Sequence, residues 1–144
     1  MRLVPAFLLL CVAYGCQTAP TDPELDGLRT TPTSAIIDGQ SFALQADLWR
    51  DFMPIAPPDG QPLAVVVRLP DQMGTVSVER IWVIFGDQLW SADTEQVPGT
   101  QDWVARGGPK WGPGVGVDVV ARLREAGGRE VLIRAPERLI QRTD

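Results

Sequence analysis

The stretch VGVDVVARLREAGGREVLIRAP, Val115 to Pro136, decides the fold class of this chain. Its apolar residues recur at every second position: Val115, Val117, Val119, Ala121 and Leu123 share one face, while Asp118, Arg122 and Arg124 lie mostly on the other. That is the period of a strand, whose side chains alternate between faces; a helix repeats every 3.6 residues or so. Ala126-Gly127-Gly128 then turns the chain back into REVLIRAP, Arg129 to Pro136, so the stretch is expected to be a hairpin.

The same period extends upstream. In SFALQADLWRDF, from Ser41, the residues Phe42, Leu44, Ala46 and Leu48 alternate with Ser41, Ala43, Gln45 and Asp47. Prolines and Asp59-Gly60 break that run in the loop MPIAPPDGQP, because proline cannot donate to a ladder. Leu63, Val65, Val67 and Leu69 form the next apolar face, with Arg68 on the other. After a turn at Pro70 to Gly74, Ile81, Val83 and Phe85 oppose Arg80, Trp82 and Ile84, and Gly86-Asp87 leads into QLWSA as a further hairpin. Beyond the Pro98-Gly99 turn, Trp103 and Val104 lead into ARGGPKWGPG, Ala105 to Gly114, which holds the chain's only lysine. This pattern predicts an all-β domain over 34–144, an antiparallel immunoglobulin-like or fibronectin-like β-sandwich of about seven strands, with a small barrel as the alternative. There is no Cys…Trp…Cys core, so the sandwich is expected to be disulfide-free. Pro136 interrupts any helix through the final ERLIQR, leaving a turn or a strand there.

Composition closes several chemistries. The chain of 144 residues is one domain by length, and 18 acidic against 13 basic residues disfavour a polyanionic partner, so nucleic acid is not expected. There is no histidine; both cysteines, Cys11 and Cys16, and the single tyrosine, Tyr14, lie in the first sixteen residues. A domain without His or Cys has no imidazole base, no thiolate nucleophile and no soft zinc ligand. A metal would need oxygen ligands alone, and Asp38, Asp59 and Asp87 sit in turns without the alternating ligands of an EF-hand. No catalytic residue, cofactor or metal is expected, and the chain is read as a non-enzyme.

The amino terminus is an address. MRLVPAFLLLCVAYGC has one positive residue, Arg2, an apolar run from Leu3 to Val12, and small residues at Ala13 and Gly15, the layout of a secretory signal too short to span a bilayer. Its end, Ala13-Tyr14-Gly15-Cys16, resembles the signal of bacterial lipoproteins, in which a small residue precedes a cysteine that is lipidated and becomes the first residue; Ala13 stands where that family has leucine. Read as an ordinary signal peptide, the same bond is cut and Cys16 stays free. The resemblance implies residues 1–15 as signal peptide, a lipid on Cys16, and anchorage in a bacterial cell envelope. Gln17 in place of Asp implies the outer membrane, facing the periplasm. Residues 16–33, rich in Pro, Thr and Asp, are expected to form a tether reaching roughly 50 Å at about 3.1 Å per residue.

Asp47 and Asp51, about 13 to 14 Å apart along one straight strand, are too distant for a paired glycosidase site. The five tryptophans are more informative, because exposed indoles stack on sugar rings or dock partner proteins. Trp49 falls on the Asp47 face and Trp82 on the Arg80 face, both outside the apolar set. Candidate ligand or partner contacts are therefore Trp49, Trp103, Arg106, Lys110 and Trp111, with Arg106 and Lys110 beside Trp103 and Trp111 as an anion or cation–π pocket. The glycines of ARGGPKWGPG lack phosphate-loop spacing and its prolines remove donors, so the bland alternative is a structured loop with Trp111 plugging the end of the core. The expected role is non-catalytic: structural or protein-interacting at the envelope, or else a glycan or small-ligand binding module using its tryptophans.

Overall fold

The computed structural model describes residues 22–70 and 75–144. The fold is all-β apart from one short helix, α1 (Leu25–Arg29). The strands are β1 (Ala35–Ile37), β2 (Gln40–Phe42), β3 (Gln45–Asp51), β4 (Leu63–Arg68), β5 (Val76–Phe85), β6 (Gln88–Asp93), β7 (Glu95–Gln96), β8 (Asp102–Gly108), β9 (Gly116–Glu125) and β10 (Glu130–Thr143). β1 and β2 make a small antiparallel pair; the other eight form one sheet in the order β6-β5-β9-β10-β3-β4-β8-β7.

Both expected hairpins form. Phe85 faces Gln88 across Gly86-Asp87, and Glu130 faces Arg124 across the turn after Glu125. Two expectations are corrected. Among the described residues there are ten strands where about seven were expected, because short pairings such as β1 with β2 and β7 with β8 have no apolar alternation to announce them. The sheet is also not wholly antiparallel: β10 runs parallel to β3, Ile140 beside Leu48 and Thr143 beside Asp51. β10 makes this possible by serving two neighbours. Its first part pairs with β9, its register slips between Ala135 and Arg138 around Pro136, and its end pairs with β3. A bulge of this kind bends a strand and increases its twist. Glu137, at the slip, has φ 55°, and its N–H donates to Asp118 Oδ1 at 2.9 Å.

The bent sheet curls until β6 and β8 touch, so the sheet is nearly closed. Trp90 of β6 lies against Gly108 of β8, where a Cβ would come within 3.0 Å of the indole. Inside is one continuous core, to which Ala46, Leu48, Val65, Val67, Ile81, Val83, Trp103, Val119, Ala121, Leu123, Ile133 and Ile140 contribute. The alternation read from the sequence is the alternation observed: Leu63, Val65, Val67 and Leu69 point inward, as do Val117, Val119, Ala121 and Leu123.

A second, smaller cluster sits on the outside of β5 and β9, where Trp82, Ile84 and Val120 are covered by Leu28 of α1. Leu28 is 0% exposed, and the helix is held further where the Arg29 guanidinium donates to the Gly86 carbonyl and Thr31 O accepts from Arg134 Nε at 3.1 Å. The segment expected to be free tether up to residue 33 is therefore packed on the sheet from α1 onward; its first residues, 16–21, and the signal-like stretch with Cys16 lie outside the described residues. The reason is the apolar pair Leu25 and Leu28, three apart on one helix face, which the prolines around them conceal. Among the described residues no helix is long and apolar enough to cross a membrane.

Candidate functional site

Three strands place the candidate site. Trp49 of β3 pairs with Ala64 of β4, and Ala64 pairs with Arg106 of β8, so the three residues form one row across the sheet. Their neighbours in sequence, Leu48, Val65 and Ala105, fill the core, which sets this row on the outer face. Ala64 is too small to fill the space between an indole and a guanidinium, and a pocket of about 350 Å³ opens there, lined also by Asp51, Gln61, Pro62 and Gly107. Gly107 lies where the β4–β8 register slips, between the pairs Leu63–Gly108 and Ala64–Arg106, with φ 84° and open space where a Cβ would stand.

Arg106 differs from every other described cation. Arg68 binds Asp47 and Asp102; Arg80 binds Asp93; Arg122 lies near Asp22 and Glu130; Arg124 binds Glu79 and Glu130; Arg129 binds Glu125; Arg134 binds Asp118. Arg138 donates to Ala46 O, Arg142 to Asp144, Arg29 to Gly86 O, and Lys110 to Asp59. Among the described residues Arg106 alone has neither a hydrogen-bond nor an ion-pair partner, and its side chain is exposed.

The remaining expected contacts are not brought to this pocket. Trp103 is 3% exposed on the inner face of β8, a core residue that lines instead a separate pocket beside Gln96 and Arg124. Trp49 and Trp103 thus lie on opposite faces, which corrects the expectation that they share a binding surface. Trp111 packs on the main core, its ring 5.5 Å from that of Phe85 and its Nε1–H donating to Gln88 Oε1 at 3.1 Å. It is half-buried, between the burial expected of a plug and the exposure expected of a presented ring. The expected pocket of Arg106 and Lys110 beside Trp103 and Trp111 does not form: Lys110 Nζ is 2.6 Å from Asp59 Oδ2, and Arg106 stands beside Trp49 instead. Trp82, on its expected outward face, is 1% exposed because α1, Arg80 and Arg122 cover it, with Arg122 Cζ 4.9 Å from the ring centre.

Sequence reasoning missed Arg50. It occupies the inward phase of β3 and is 3% exposed, yet each of its three nitrogens donates: Nε to Gln61 O at 2.9 Å, Nη1 to Lys110 O at 3.0 Å and to Gly112 O at 2.7 Å, and Nη2 to Asp59 O. One side chain therefore ties the 52–62 loop to the 109–114 loop, and ARGGPKWGPG is held as backbone. Gly112, φ 69°, is needed there, since a Cβ would meet Val115 at 3.2 Å and Ile140 at 3.4 Å. Phe52 completes the clamp between Arg50 and Arg142, whose Cζ atoms lie 5.1 and 4.2 Å from its ring centre. The signal was legible: a charged residue continuing the apolar series Ala46, Leu48 must find hydrogen-bond acceptors inside.

The carboxylates with displaced acidity are all displaced downward. The hydrogen bond from Lys110 holds Asp59 below the usual carboxylate range, that from Arg124 does the same for Glu79, and that from Arg142 for Asp144. A general acid at neutral pH needs the opposite shift. No group of three or more His, Cys, Asp or Glu that could hold a metal occurs among the described residues. Comparison with models of protein families, with curated proteins and with solved structures finds no match to this chain.

Proposed function

We propose that the chain is a lipoprotein of a bacterial cell envelope, anchored through Cys16 in the outer membrane and facing the periplasm, whose β domain has a non-catalytic, structural or protein-interacting role. The observation that carries it is the apolar run ending in Gly15-Cys16. The reading has a physical consequence. Asp22 lies 3.3 Å from Arg80 on the sheet, so a leash from Cys16 to that point would reach at most about 22 Å at roughly 3.6 Å per residue. The domain then rests near the head groups instead of standing about 50 Å clear. Support for a non-catalytic role comes from the downward-shifted carboxylates and from the engagement of most described arginines in ion pairs. We also read the domain as a relative of immunoglobulin-like or fibronectin-like sandwiches, a view supported by the way β10 passes from one half of the sheet to the other at its bulge.

The anchor is tested by expressing the full chain and Cys16→Ser in a bacterium with two membranes, with a labelled fatty acid. The expected result is label and outer-membrane fractionation for the first and neither for the second. An unlabelled parent chain overturns the anchor. A second reading, a glycan or small-ligand binding module, is favoured specifically by the open pocket between Trp49 and Arg106.

A further inference from the structure

Among the described cavities, the largest polar groups of the groove beside α1 are already spent: Arg29 is bound to Gly86 O, and Asp118 to Arg134 and to the Glu137 amide. The exposed apolar side chains Ile36, Ile55 and Leu139 lie on separate elements. The pocket on β3, β4 and β8 is different, because its groups are complementary to a ligand and not to one another.

We infer that this pocket is a subsite for an acidic sugar, a pyranose ring bearing a carboxylate; the inference rests on the glycan-binding reading and specifies it. Four features carry it. The Trp49 indole offers an apolar wall against which the C–H face of a ring can stack, as aromatic side chains do at wet interfaces. Ala64 forms the floor, 6% exposed, and leaves the ring room to lie flat between Trp49 and Arg106. Arg106 presents a planar guanidinium with no competing partner among the described residues, and arginine matches a carboxylate with two parallel hydrogen bonds. An anion bound there breaks no existing ion pair, whereas at Arg68 or Arg124 it must displace one.

The remaining lining residues favour a sugar over an aromatic acid. Asp51 uses Oδ1 to accept from the Met53 amide, and its other oxygen has no partner among the described residues, so it can accept from a ring hydroxyl. Gln61, exposed beside it, can both donate and accept. A benzoate without hydroxyls has nothing for these groups and meets the Asp51 charge with nothing in exchange. The volume of about 350 Å³ suits a subsite of one or two rings.

The test uses the purified full-length chain, 15N-labelled, titrated with glucuronate, glucose and acetate at constant ionic strength, while the Trp49 indole N–H resonance is followed. Glucuronate is expected to shift that resonance and to bind about tenfold or more tightly than glucose, as a charge-assisted pair of hydrogen bonds implies. Acetate, with no ring, is expected to leave it in place. Arg106→Gln should abolish the preference for glucuronate while glucose binding persists, Arg106→Lys should reduce the preference because a point charge replaces the fork, and Ala64→Leu should block both sugars. Equal affinity of the parent chain for both sugars, or an unchanged preference in Arg106→Gln, overturns the acidic-sugar assignment and leaves glycan binding standing. No shift of Trp49 with any sugar removes the glycan reading itself.

Discussion

Trp82 and Trp49 lie in the same situation by sequence and in opposite ones in the molecule. Each stands on the outer face of a strand flanked by inward-facing core residues: Trp82 between Ile81 and Val83, Trp49 between Leu48 and Arg50. Trp82 is sealed beneath Leu28 and two guanidinium groups, and Trp49 remains half-buried at the wall of an open pocket. The difference is made by a segment some fifty residues upstream of Trp82 in the chain, for among the described residues β3 has no such cover. An outward indole is thus a vacancy that the fold either fills with its own chain or leaves for something else.

That contrast can be broken by mutation. Trp82→Ala is expected to have the largest effect, a loss of about 4 kcal/mol in denaturant unfolding, because a large buried ring leaves a cavity that Leu28 and Val120 cannot fill. Arg50→Met should follow at about 3 kcal/mol: its carbonyl partners on two loops lose their donor together, and amide exchange should quicken in 109–114 before it does in β9. Leu28→Ala should lose about 2 to 3 kcal/mol and shift the Trp82 emission to the red as α1 lifts, which would make the covered indole resemble the open one. Trp49→Ala should change stability by less than about 1 kcal/mol, since the ring covers little of the core; a loss as large as that of Trp82 would show that Trp49 is structural and its pocket incidental.

The smallest expected effect is electrostatic and distinguishes tied loops from open pocket by pH. Asp59 and Glu79 have folded pKa values lowered by Lys110 and Arg124, so the folded state binds their protons later than the unfolded chain does as pH falls. Their contribution is complete above the unfolded carboxylate pKa, near about 4, and is lost as the pH drops below that through the folded values. Melting curves at pH 7, 4 and 3 should therefore be flat at first and then decline. Lys110→Met should remove part of the decline, whereas Arg106→Gln should leave it unaltered, because Arg106 has no carboxylate partner among the described residues.

Local chemistry made much of the fold legible. Strand phase could be read because burial on one face of a sheet imposes alternation, and the residues chosen for the interior of β4, β5 and β9 are the ones found there. The hairpins were legible from their glycines. The ends of the chain were less so: β10 continues through Pro136 as a strand because a bulge accommodates the missing donor, and its final residues find a parallel partner in β3 that no local pattern announces. In the candidate site, Trp49 and Arg106 were both singled out, but on separate grounds. Their meeting depends on Ala64, an apolar residue within PLAVVVRL that carries no functional signal of its own.

By itself the sequence determined the class of structure, the inward and outward sets of each long strand, and the absence of imidazole and thiol chemistry from the domain, since these follow from residue identity and a two-residue period. Tertiary structure alone decided which outward tryptophan is covered, which arginine is left unpaired, and that ARGGPKWGPG serves as a clamped closure of the core. Register across strands and the docking of distant segments set those outcomes, and both are properties of residue pairs far apart in the chain.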